Sequence, residues 1–295
     1  MKIAAIAPVL NECPWIGYSI MAALPGIDSM HYGIDGKSND GTFELVKMLS
    51  ETAGKDKVFW YRGQDFDIDV TDKHQYENAF NVLIECAKST KPDAILYLHP
   101  DMIITNPEQM ARIDPEPVAW YTHIRSFAKN LTTEITKGRA LTWKNMHCPR
   151  FGLKYVGAYG TLEEDFYHHD ITGNSYKHYG EEYSKYPFRV ADSGLRINHY
   201  CEVKPYRRRL EKMKTCLKVM YPQIDDYQIK TIASNHPRVT LEPTPENYLI
   251  PLDGKHNAEI KKAFVFEPTQ DPIPEVFDKY RKEFESFKKE PALVH

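Results

Sequence analysis

Apolar and polar positions in the first hundred residues fall into blocks that switch between two periods. Ile3 to Leu10 is an unbroken apolar run, as expected of a strand covered on both faces. Trp15 to Leu24 predicts a helix closed by Pro25 and Gly26. "SMHYGID" (29–35) predicts a second strand, and "GKSNDGT" (36–42) is a turn dense in Gly, Ser, Asn and Asp. From Thr42 to Glu51, Phe43, Leu45, Val46 and Leu49 recur at helical spacing. "KVFWYR" (57–62) is a third strand. "DKHQYENAFNVLIECAKS" (72–89) is an amphipathic helix with Tyr76, Phe80, Leu83, Ile84 and Ala87 aligned, and "DAILYLH" (93–99) is a fourth strand.

Strand and helix alternating at this spacing predict an α/β fold with a mostly parallel sheet and helices on its faces. From about Val118 to Tyr200 the pattern shortens and mixes, which predicts antiparallel strands joined by long loops. "PYRRRLEKMKTCLKVMYPQ" (205–223) reads as a basic helix with a stripe of Leu210, Met213, Leu217 and Met220, the spacing of core packing. After Pro222 the chain is rich in Pro and charge. Its last helix places Val276, Phe277, Tyr280, Phe284 and Phe287 on one face, expected to strap onto the body. The domains expected are therefore 1–205, divided into halves 1–105 and 106–205, and a C-terminal helical extension over 206–295.

Composition adds less. With 295 residues and 42% hydrophobic content the chain can bury a sizeable core, and a net charge of −3 without long like-charge runs does not point to nucleic acid or a membrane surface. Cys13, Cys86, Cys148, Cys201 and Cys216 are odd in number, widely spaced and without a CxxC pair. A disulfide framework or zinc knuckle is not expected, and a reducing, cytoplasmic setting is. No stretch approaches the roughly 18 apolar residues of a membrane span.

The polar clusters "NEC" (11–13), "DGKSNDG" (35–41) and "HPD" (99–101) all follow predicted strands. In parallel sheets ligands bind outside those carboxyl ends, so the three clusters predict one pocket. Taken in order, Pro8, Asn11 and Glu12, then Asp35, Ser38, Asp40, Gly41 and Thr42, then His99 and Asp101, resemble the nucleotide-binding half of family-2-like glycosyltransferases. That family has the GT-A fold, a Rossmann-like mixed sheet. Its motifs are P-x-x-N-E, D-x-x-S-x-D-G-T and D-x-D; the last stands here with His99 in place of the first Asp. The likeness covers about the first 105 residues well and the next hundred loosely.

The resemblance implies a metal-dependent transfer from a nucleotide-sugar, a UDP-sugar with inversion being expected, and Mn²⁺ or Mg²⁺ as cofactor. Asp101 would hold the cation, with His99 and His199 as further candidate ligands; each histidine has an alternative reading as a packed or phosphate-bonding side chain. Glu12 and Asp35 would face the nucleoside, with Pro8, Asn11, Ser38 and Asp40 shaping that pocket; Asp40 reads equally as a helix cap, the preferred reading. Arg196 with Lys204, Arg207, Arg208 and Arg209 would hold phosphate. An inverting transferase needs a carboxylate base. Glu163, Glu164 and Asp165 are the candidates, with Glu164 the nominal choice and an acidic helix start as the alternative. His168, His169, Asp170 and His178 satisfy no metal-ligand spacing and predict a Tyr- and His-rich loop.

Two rival functions share these residues. A sugar nucleotidyltransferase would need a Gly- and Lys/Arg-rich phosphate loop after the first strand, where "NECPWIG" stands instead. A non-catalytic nucleotide-sugar-binding domain would account for the altered H-x-D. The acceptor is open among glycan, lipid, protein side chain and modified nucleobase, and the sequence does not define the oligomeric state.

Overall fold

Strand β1 (Ile3–Val9) is buried at every position, as its apolar run predicts. It pairs in parallel on one side with β2 (Ser29–Ile34), Ala4 opposite Ser29 and Val9 opposite Ile34. On the other side it pairs in parallel with β4 (Ala94–Tyr97), Ile3 opposite Ala94 and Ile6 opposite Tyr97. Strand β3 (Val58–Tyr61) pairs in parallel with β2. The parallel core therefore runs β4-β1-β2-β3, a Rossmann-like order in which chain direction around the sheet reverses beside β1.

The structure, a computed structural model, describes residues 1–67, 73–117, 119–137, 142–149, 190–220, 224–240 and 265–289. By packing, the chain groups into two units. The first comprises Met1–His123, Thr142–Ile197 and Pro274–His295; the second comprises Ile124–Leu141 and Asn198–Ile273.

In the first unit, helices α1 (Trp15–Ala23), α2 (Thr42–Glu51) and α3 (Lys73–Lys88) join the parallel strands. Phe80, Leu83, Ile84 and Ala87 of α3 form a core with Ala4, Ile6, Ile95, Tyr97 and Phe66, the face its period predicts. The mixed pairing expected beyond residue 118 is present. Strand β8 (Thr142–His147) lies antiparallel to β4, and the first half of β6 (Ala119–Ala128) lies antiparallel to β8. The three-residue β5 (Met102–Ile104) pairs with β9 (Val190–Glu202), a pairing extended by the Thr105 N–H bond to the Arg196 carbonyl at 2.9 Å.

The last helix, α7 (Glu275–Glu285), packs on α1 and buries Phe277 and Phe284 against Tyr18, ring centroids 4.5 and 5.4 Å away. Gly17 makes that approach possible, because a Cβ there would lie 2.7 Å from the Phe284 ring.

In the second unit, the rest of β6 pairs with β7 (Thr133–Lys137), which pairs antiparallel with β10 (Val265–Pro268). Arg125 spans this sheet, donating to both oxygens of Glu134 at 3.1 and 2.5 Å and to the Thr269 hydroxyl at 2.7 Å. Helices α4 (Tyr206–Met220), α5 (Asp226–Asn235) and α6 (Pro237–Thr240) bury Met213, Leu217, Ile229, Ile232, Ala233 and Val239 together. Helix α5 falls in the Pro- and charge-rich part of the expected helical extension, where the sequence reading named no individual helix. Its start carries a capping box in which Asp225 accepts from Gln228 N–H at 2.8 Å and the Gln228 side chain accepts from Asp225 N–H at 3.3 Å.

Candidate functional site

The loops after β1 and β2 are bonded into one structure. Asp40 is 3% exposed, and its carboxylate accepts from Thr42 N–H at 3.1 Å, the Thr42 hydroxyl at 2.6 Å and Cys13 N–H at 3.1 Å. The Thr42 hydroxyl oxygen in turn accepts from Glu12 N–H at 2.7 Å and Cys13 N–H at 2.9 Å. Asn11 adds two more ties, donating its N–H to the Ser38 hydroxyl at 3.2 Å and accepting from Asn39 N–H at 2.9 Å. Asn11 takes a positive φ of +53°, a conformation its short amide side chain tolerates better than most.

This changes the reading of Asp40. The residue at the N-cap of α2 is Gly41, with φ of +92° and no side chain, so Asp40 sits one position before the cap. Its side chain closes an Asx-type turn onto Thr42 and grips the β1 loop. Gly41 has no room for a Cβ, which would fall 1.8 Å from the Phe287 carbonyl oxygen. The chain after α7 therefore lies directly against this loop, and Lys289 N–H bonds the Asp40 carbonyl at 3.0 Å.

Asp35 ends β2 with 1% exposure. Its N–H donates to the Val9 carbonyl at 2.9 Å, and its Oδ1 accepts from Lys37 N–H at 2.7 Å. Pro8 is buried inside β1 opposite Gly33. Glu12 is half-buried at the turn into α1, its carbonyl accepting from Ile16 N–H at 2.9 Å. On the other side of β1, the last ladder bond of β4 runs from Leu98 N–H to the Ile6 carbonyl at 3.2 Å. A tight turn follows, closed by Met102 N–H to the His99 carbonyl at 2.9 Å. His99 is half-buried and Asp101 is 2% exposed. The loops carrying Asn11, Glu12, Asp35, Ser38, Asp40, His99 and Asp101 thus all leave the carboxyl ends of neighbouring parallel strands.

The remaining candidates are placed differently. Arg196 lies in β9 with its side chain exposed, its backbone bonded to Asn106 and Thr105. His199 is buried in the second unit, whereas His99 and Asp101 belong to the first. Among the described residues no group of three or more His, Cys, Asp or Glu side chains is gathered as a cation cage. Glu163, Glu164 and Asp165, and the loop with His168, His169, Asp170 and His178, lie outside the described residues.

Several positioning residues were not singled out from sequence. Thr42 was read only as a motif match, yet its hydroxyl links both loops. Asp67 accepts from Gly36 N–H at 2.8 Å and steadies the far end of the β2 turn. Asn145 of β8 accepts from the Thr122 hydroxyl at 2.7 Å and donates to the Tyr97 carbonyl at 3.2 Å, holding the end of β4 from its antiparallel side. The spacing D-x-T was the available signal for the first, since short hydroxyl and carboxylate side chains bond backbone two residues away; Asp67 and Asn145 act through partners distant in sequence.

Described residues include no helix long and apolar enough to cross a membrane. No protein-family model matches the sequence, and no curated protein matches it at a significant level.

Proposed function

We propose that this chain is a glycosyltransferase that moves a sugar, with inversion, from a UDP-sugar to an acceptor. The observation that carries the reading is the convergence of three acid-bearing loops at the carboxyl edge of β1, β2 and β4, beside the point where the sheet reverses direction. That is the place where α/β sheets of this order take nucleotides. The lock made by Asp40 and Thr42 supports it, because a donor pocket needs its walls fixed before the ligand arrives.

In this reading Asp35 and Glu12 accept hydrogen bonds from the nucleoside, as an acid after a strand does for ribose hydroxyls in related folds. Asp101 and His99 face the diphosphate. One carboxylate and one imidazole two residues apart suit a cation held mostly by substrate phosphates and water, and the imidazole favours Mn²⁺ over Mg²⁺. When bound, such a cation supplies charge neutralisation to the leaving diphosphate.

The test is UDP release from UDP-sugars with and without Mn²⁺. Wild-type protein should release UDP, and Asp101→Asn should lower the rate at least a hundredfold while keeping the fold. Release of pyrophosphate from a nucleoside triphosphate in place of UDP would move the assignment to a nucleotidyltransferase. The depth of Asp101, at 2% exposure, favours one second reading, a domain that binds nucleotide-sugars without transfer. Saturable UDP-sugar binding with no UDP release in the presence of acceptors would establish that reading instead.

A further inference from the structure

Strand β9 departs from extended backbone at Gly194, which takes a positive φ of +68°. Breaks of this kind within a strand re-aim neighbouring side chains and collect beside functional sites. Here Oδ1 of Asp192 accepts from Gly194 N–H at 2.8 Å, and both carboxylate oxygens lie 3.0 and 2.8 Å from Nε2 of His123 on β6. The turn is tied down from several directions. Asn106 donates to the Gly194 carbonyl at 2.9 Å and accepts from Arg196 N–H at 2.7 Å. Gln109 donates to the Ser193 carbonyl at 3.1 Å, and the Ser193 hydroxyl donates to the Tyr121 carbonyl at 2.7 Å. The pair that this framework holds is open to solvent, its side chains 46% and 60% exposed. An exposed ion pair contributes little stability, so stability does not account for so elaborate a support.

Burial works against the charge of Asp192, but Gly194 N–H and the His123 ring outweigh it and hold the carboxyl below its ordinary range. A carboxylate at Nε2 keeps the proton of the neutral ring there and leaves the lone pair on Nδ1. Nδ1 has no hydrogen-bond partner among the described residues. Strand register places the pair. Strand β6 runs in the direction of β4, since each is antiparallel to β8. On β8, Asn145 bonds the Tyr97 carbonyl, and Thr142, three residues further toward the carboxyl edge of β4, pairs with His123. His123 therefore stands level with the turn that carries His99 and Asp101, two strands across, or about 10 Å at the usual strand spacing. All of these residues belong to the first unit.

We infer that His123 is the general base of the transfer and that Asp192 positions it, an assignment that rests on the donor reading above. The acceptor hydroxyl gives its proton to Nδ1 while its oxygen bonds the anomeric carbon of the sugar. The bond from that carbon to the diphosphate oxygen breaks, and its electron pair leaves with UDP. Asp192 stabilises the imidazolium so formed. The spacing between the cation turn and the base leaves room for a sugar ring, with the acceptor on the face away from the leaving diphosphate, as inversion requires. A neutral imidazole thus does the work for which the sequence suggested Glu163, Glu164 or Asp165.

The test combines nitrogen NMR of the histidine rings with turnover of the full chain. In mildly alkaline buffer the His123 ring of the wild type should carry its proton on Nε2. Asp192→Asn, whose amide can donate to the ring, should move that proton to Nδ1. Turnover is UDP release from UDP-glucose, UDP-galactose and UDP-N-acetylglucosamine with Mn²⁺ and with water as acceptor. His123→Ala should lower kcat by about a hundredfold, and Asp192→Asn by roughly tenfold or more. KM and calorimetric UDP affinity should not change, since both side chains are exposed and lie outside the donor loops. Added imidazole should restore part of the His123→Ala rate and none of the rate lost in Asp101→Asn. A wild-type ring protonated on Nδ1 overturns the inference. Unchanged kcat in His123→Ala with UDP binding intact also overturns it, leaving an ordinary surface ion pair and the donor reading in place. UDP binding without turnover by the wild type removes the base role as well. No UDP binding by the wild type defeats the donor reading itself, and the base role with it.

Discussion

Gly41 is the residue at which local conformation and tertiary packing coincide most tightly. Its positive φ costs a residue with a Cβ about 1–2 kcal/mol, and the Phe287 carbonyl oxygen fills the space a Cβ would need. Gly41→Ala should therefore lower stability by about 2–4 kcal/mol, a sum of backbone strain and overpacking, measured by urea unfolding. His31 makes the opposite kind of residue-scale statement. It is buried between Tyr61, 2.9 Å from Nδ1, and Ser29, 3.1 Å from Nε2, and burial lowers its pKa from 6.5 to about 4. The folded state thus holds the ring neutral while the unfolded chain protonates it near pH 6.5. Its stability contribution is fully present above that pH and falls away as pH drops toward 4, by roughly 3 kcal/mol in total. Unfolding free energies measured from pH 7 to 4 should show this loss, and His31→Gln should flatten it. Both roles were hidden in the sequence: Gly41 read as a motif glycine, and His31 as one letter of an ordinary strand. The Asp40 alternative was visible but its outcome was not, since the deciding partner, Cys13 N–H, lies on another loop.

At the scale of elements, the parallel core was legible because β1, β2 and β4 are continuous buried runs and α2 and α3 each show one apolar stripe. Ile3–Val9, Ser29–Ile34, Val58–Tyr61 and Ala94–Tyr97 all fall within the runs that predicted them. Strands β5, β7 and β10 were not: Met102–Ile104 is only three residues long, and Thr133–Lys137 and Val265–Pro268 are broken by charged residues and form no continuous apolar run. Helix α5 was missed for a different reason: Pro and charge around it masked a capping box already present in Asp225 and Gln228. Helix α7 was read correctly from its aromatic stripe, and its anchor is measurable. Phe284 is fully buried against Tyr18, so Phe284→Ala should cost about 3–5 kcal/mol. Because the segment after α7 also bonds Asp40, the same variant should loosen the β2 loop, visible as faster amide exchange at Thr42 than at Ile6.

For the whole molecule, the sequence set its three polar clusters after predicted strands, and the loops that carry them leave the carboxyl ends of β1, β2 and β4. What it could not provide was the second unit, assembled from Ile124–Leu141 and Asn198–Ile273, segments more than fifty residues apart that packing alone brings together. The basic helix start noted in the sequence belongs to that unit.

Calorimetric titration with UDP, with and without Mn²⁺, of wild-type protein and the Asp101→Asn variant tests the assignment of the rim most directly. Wild-type protein should bind UDP saturably and at least tenfold more tightly with Mn²⁺, a gain of about 1.4 kcal/mol or more. The folded variant should lose that gain. Equal UDP affinity in both proteins with Mn²⁺ present, or no UDP binding by wild type at all, would contradict the account.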